Sequence, residues 1–117
     1  MVAKFLIGAV LLTAAVPAYA AEQEFVLVNK TGKTIKTIEV SDVGKGEWTP
    51  ETLDEDMVHD PVRNGMNHTV HYDKGCKIDV RLTFSDGSQS VFGNFDACDY
   101  AFGDFSFKGE LPVVKGT

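Results

Sequence analysis

The chain has 117 residues, 44% hydrophobic and 24% charged, with 17 acids against 11 basic residues and a formal net charge of −6. That length suits one domain around one core. The acidic balance, with no basic stripe to offset it, excludes phosphate backbones and anionic membrane surfaces as partners.

Met1 to Ala20 has the layout of a secretory signal peptide. Lys4 supplies the positive start, and Phe5 to Val16 is a twelve-residue uncharged apolar stretch. Pro17 ends that stretch, and Ala18-Tyr19-Ala20 puts small residues at the two positions that a signal peptidase inspects. Twelve helical residues span only ~18 Å, too short for a ~30 Å hydrocarbon core. The expectation is cleavage after Ala20 into the periplasm or medium, with no membrane attachment afterwards. The mature domain, residues 21–117, has 97 residues and, without Lys4, a formal charge of −7.

The mature part reads as short strands separated by turns. Glu24 to Lys30 is the first, stopped by the turn composition Asn29-Lys30-Thr31-Gly32. Lys33 to Ser41 follows; Ile35 and Ile38 are out of phase for a strand, which predicts a bulge near Lys36-Thr37. After a loop over Asp42 to Gly46, Thr49-Pro50-Glu51 has the capping residue, proline and acid of a helix start, predicting a short helical turn to about Asp56. Met57 to Asp60 and Asn67 to Asp73 are further strands. In Lys77 to Ser85, Ile78, Val80, Leu82 and Phe84 share one face and Asp79, Arg81 and Thr83 the other. Asp86-Gly87 predicts a tight hairpin into Ser88 to Phe95, and the last strand runs from Phe105 to Lys108. About seven such strands imply an all-β domain, a small antiparallel sandwich or an open barrel.

Cys76 precedes the clearest strand and Cys98 follows its hairpin partner, so an oxidising compartment predicts a disulfide between them. Taken in order, Asn29-x-Thr31-Gly32-x-x-Ile35, Trp48 followed by Leu53, Gly65 leading into Val70, Cys76-x-x-Asp79, Phe84-x-Asp86-Gly87 and Phe95-Asp96-x-Cys98 form a pattern. It resembles a group of small exported bacterial proteins with two cysteines and no established function, some of which carry an argininosuccinate lyase label. The resemblance spans Phe25 to about Phe107 and rests on strand ends, turns and the cysteines, so it implies a fold rather than an activity. Met57-Val58-His59 departs from the aliphatic run expected there, and the C-terminal segment is unusually aromatic. Lyases of that name are large helical proteins with sites built between subunits, and 97 strand-rich residues do not supply one.

Catalytic chemistry is not legible. No serine sits in a nucleophile elbow, and both cysteines are committed to the bridge. His59, His68 and His71 lie within thirteen residues and read as half-exposed strand positions. Glu51, Asp54, Glu55, Asp56 and Asp60 form one acidic group and Asp96, Asp99 and Asp104 another. They would serve a hydrolase only in a cleft, and no calcium loop motif frames them. Tyr100, Phe102, Phe105 and Phe107 read as rings closing one end of the core, with an exposed platform as the alternative. Trp48 is either a plug or a contact residue. Asn29-Lys30-Thr31 and Asn67-His68-Thr69 match the N-glycosylation sequon, relevant in a eukaryotic host.

One metal geometry is specific enough to state. A hairpin pairing Met57–Asp60 with Gly65–His68 around the loop Pro61-Val62-Arg63-Asn64 would gather Met57, His59, Met66 and His68 on one face. Two thioethers and two imidazoles suit Cu(I). In the competing reading Met57 packs in the core, and a one-residue register change removes the square. The functional expectation is an exported non-enzymatic binding or interaction protein of inhibitor, immunity or envelope-accessory type. It uses no cofactor and meets a protein partner with a basic surface. The alternatives are an envelope protein binding Cu(I) or Ca2+, and then a small hydrolase.

Overall fold

The computed structural model describes residues 22–52 and 60–117. Among them are eight strands and no helix: β1 Gln23–Lys30, β2 Ile35–Asp42, β3 Thr49–Pro50, β4 Asn67–Tyr72, β5 Lys77–Phe84, β6 Gln89–Asp96, β7 Phe102–Lys108 and β8 Leu111–Gly116. They form two four-stranded sheets, ordered β4-β1-β7-β8 and β3-β2-β5-β6, and the domain is a sandwich rather than an open barrel.

The alternation read from β5 is the floor of the core. Ile78, Val80, Leu82 and Phe84 are buried, and Asp79, Arg81 and Thr83 face outward. The expected β2 bulge is present as a register shift between Ile35 and Thr37, and it restores phase so that Ile35, Ile38 and Val40 are all buried. The hairpin at Asp86-Gly87 also forms, with Gly87 at φ 88° and the Asp86 carboxylate accepting from the Ser88 backbone and hydroxyl. Those two bonds, with Lys33 beside them, hold the Asp86 carboxyl down to about 2.

Several expectations need correction. Thr49 and Pro50 are not a helix start but strand β3, antiparallel to Val40 and Glu39 of β2. The backbone there finds ladder partners on an edge, where the ring of Pro50 is tolerated. Residues 53–59, where the helical turn and most of the Met57–Asp60 strand were expected, lie outside the described residues; Asp60 belongs to no strand. The turn expected over Pro61-Val62-Arg63-Asn64 is displaced to Arg63–Met66, because Val62 is buried and exchanges both backbone hydrogen bonds with Ile35.

The C-terminal part differs most. The strand expected from Phe105 begins at Phe102, and an eighth strand, β8, follows a two-residue loop whose Gly109 has φ 65°. Pro112 is tolerated because β8 is an edge of its sheet. The sheet is not purely antiparallel: β7 runs parallel to β1, with Leu27 opposite Gly103 and Asn29 opposite Phe105. Of the aromatic run, Phe105 is fully buried and Phe107 packs on the core, while Tyr100 and Phe102 remain 42% and 43% exposed. The run therefore divides between the two readings. Phe102 points out because it is one step out of phase with Gly103 and Phe105. Gly103 leaves the space that the rings of Phe95 and Phe105 fill: a Cβ there would stand 3.0–3.1 Å from them.

Candidate functional site

The sequence-flagged residues fall in different places. Cys76 and Cys98 form the disulfide, with Cα atoms 5.1 Å apart, joining the residue before β5 to the loop after β6. The bridge is exposed at one end of the sandwich, and its partner chains are already held by the bond from the Ala97 amide to the Cys76 carbonyl, 2.9 Å. A disulfide of this kind belongs to an oxidising compartment. Met57 and His59 lie outside the described residues, Met66 is exposed, and His68 turns inward, its Nε2 2.8 Å from Glu51 Oε1.

Glu51 and His68 link the sheets. Glu51 follows β3 in one sheet, with its amide donating to Ile38, and the next residue, Thr52, donates to His71 of β4 in the other. The Glu51 side chain is only 2% exposed and His68 16%. His71 faces the other way, as alternation requires, and pairs with Glu24 at 3.5 Å on the surface.

Other acids are committed to backbone N–H groups. Asp42 accepts from Gly75, Asp79 from Gly44 and from Asn94, and Asp96 from Cys98 and Asp99. Asp104 pairs with Lys30 at 3.0 Å. Among the described residues, no three His, Cys, Asp or Glu side chains gather as metal ligands.

Near the disulfide end, Tyr72 is buried and its hydroxyl has no hydrogen-bond partner among the described residues. Burial first, then the charges of Asp96 and Asp42, push its pKa from 10.0 up to about 12. The stability tied to the neutral phenol is complete below pH 10 and is lost as pH climbs through about 12. In protein starting at residue 21 with Tyr100 replaced by Phe, phenolate absorbance should appear only near pH 12. Ionisation at pH 10 in the folded state contradicts this.

Trp48 is the clearest surface feature. It stands just before β3 on the outer face of the β3-β2-β5-β6 sheet, half-buried, with the Arg81 guanidinium 4.8 Å from its ring centroid. Arg81 is fixed in turn by Glu39, Nε to Oε1 2.9 Å, directly opposite it in the ladder. Pro50 is paired with Glu39 and the exposed Val91 with Arg81, so one row crosses the sheet as Pro50, Glu39, Arg81, Val91. A carboxylate-anchored guanidinium on an indole is a rigid arrangement, held by cation–π attraction and a charge-assisted bond. Sequence reasoning singled out Trp48 and placed Arg81 on the outward face of β5, but it did not bring the two together or find Glu39, which β2 sets opposite Arg81.

Sequence reasoning also missed Asn29, beyond its turn composition and sequon. It is fully buried on the core side of β1, and its amide donates to the carbonyls of Lys33, 2.8 Å, and Val62, 2.9 Å. Its side-chain oxygen accepts from the Thr31 amide, 3.0 Å, and hydroxyl, 2.6 Å. The Asn29-Lys30-Thr31 triplet is thus a structural turn in the folded chain, with the Asn29 amide fully engaged.

No family model matches the chain, and neither does any curated protein. A solved structure that it resembles is the NMR structure of a protein from Eubacterium rectale, 17% identical, with a TM-score of 0.51 over 81% of this chain and 87% of that one. At that identity the likeness concerns the fold alone.

Proposed function

We propose that the protein is an exported, non-enzymatic binding protein of the periplasm or medium. It engages a protein partner with a basic surface through the outer face of the β3-β2-β5-β6 sheet. The observation that carries this is the Trp48–Arg81–Glu39 stack. Trp and Arg are the residue types that dominate binding hot spots. Here both are held in place before any partner arrives, so docking loses little side-chain entropy. Glu47, next to the stack in sequence, and Asp79, two positions from Arg81 on the same face, add negative charge near it, which favours a basic partner.

The bridged cysteines leave no free thiol nucleophile, which fits a non-enzymatic role. The resemblance to small exported two-cysteine proteins belongs with this reading.

The test compares wild-type and Trp48→Ala protein, both tagged and folded by thermal unfolding, as baits in envelope extract from the host. The expected result is a basic protein retained by the wild type, released by raised salt and lost with Trp48→Ala. Equal recovery by both baits overturns the assignment of this face.

A further inference from the structure

The turn that displaces the expected loop contains Asn64-Gly65, the dipeptide type in which asparagine is chemically most labile. Without a side chain on the following residue, its amide nitrogen reaches the asparagine carbonyl carbon easily. Asn64 is exposed, and Gly65 has φ 90° in a turn closed by the bond from the Met66 amide to the Arg63 carbonyl, 3.0 Å. Both reacting groups are nevertheless occupied. The Gly65 N–H, the nucleophile, donates to the Asn29 carbonyl at 2.6 Å. The Asn64 side-chain oxygen accepts from the Gly32 N–H at 2.8 Å.

We propose that Asn64 is a latent deamidation site, held unreactive by the fold and released only in chains that have opened the turns around Asn29. In the open chain the Gly65 nitrogen loses its proton and bonds to the Asn64 Cγ, and the side-chain nitrogen leaves as ammonia. The five-membered succinimide then takes up one water, opening to aspartate or to isoaspartate. Water enters, ammonia leaves, and no redox partner is needed.

In the fold this step is blocked at the nucleophile, while the bond from Gly32 fixes where the Asn64 side chain points. The Gly65 proton is engaged by a carbonyl, and the nitrogen is aimed at Asn29 rather than at its own neighbour. Asn29 is itself fixed through its side chain to Val62 and Lys33, so the two turns open together or not at all. The two products differ in consequence. Aspartate keeps an acceptor for the Gly32 N–H. Isoaspartate lengthens the backbone by one atom in a turn whose flanks are pinned at Val62–Ile35 and Met66–Asn29. Exported chains that linger unfolded become marked at residue 64, and those carrying isoaspartate cannot restore this turn.

The test follows the protein, disulfide intact, at neutral pH through a urea series, with peptide mapping of the Asn64 segment and hydrogen exchange of the Gly65 amide in parallel. Folded protein should deamidate at least ~100-fold more slowly than unfolded protein, because the reaction draws only on the small population in which this turn is open. Deamidation and Gly65 exchange should rise over the same urea range. Equal rates in folded and unfolded protein overturn the proposal, as does deamidation in urea that leaves the Gly65 amide protected.

Discussion

Replacing Phe105 by alanine should remove ~3–5 kcal/mol, a large share of the stability of a domain this size. Phe105 stands on β7 of one sheet and reaches across to the other. Its ring centroid lies 5.2 Å from Phe92 and 6.1 Å from Phe95, both on β6, and 6.1 Å from Phe25 beside it on β1. Truncation opens a void that these rings cannot close without leaving the positions shaped by Gly103. Thermal unfolding should shift down by on the order of 15–30 °C. Phe102→Ala, half-exposed on the opposite face of the same strand, should cost under ~1 kcal/mol. Similar losses at the two positions would mean that the strand is facing the wrong way.

Asn29→Asp should be nearly as damaging, although it changes no volume. The amide donates to two carbonyls, and a carboxylate would place negative charge beside both, with no N–H to offer. A buried polar group left without its partner costs ~1–3 kcal/mol, more for a charged one, so the loss should reach ~3–5 kcal/mol at neutral pH. Denaturant unfolding of the variant is the measurement. Asn67→Asp, exposed on β4, is the control and should move stability by under ~0.5 kcal/mol. A tolerated Asn29→Asp would show that the turn at residues 31–33 and the Val62 bridge hold without it.

How much was legible depends on whether a residue's partner is near in sequence. The β5 alternation, the Asp86-Gly87 turn and the β2 bulge are local patterns, and each appears where the sequence places it. A second bulge carried the same signal and was missed. Phe92 and Phe95 are both buried although three apart, and they reach one face because Asn94, at φ 59°, takes up the extra residue while donating to Asp79. The spacing was there to be read; the residue that absorbs it was not. Thr49-Pro50 misled because proline with a preceding threonine suits a helix start and an edge strand equally. Only β2 lying alongside decides between them.

The sequence by itself determined the all-β class, the disulfide pair, the core face of β5 and the acidic balance, because each follows from composition or from neighbours a few residues apart. The tertiary structure alone decided that β7 lies parallel to β1 and that β8 completes that sheet. It decided as well that Arg81 covers Trp48 and that Asn29 holds two turns together. Those contacts join residues about thirty or more positions apart or depend on which strand lies next to which. Period-2 patterning says which way a side chain points and nothing about the strand it will meet.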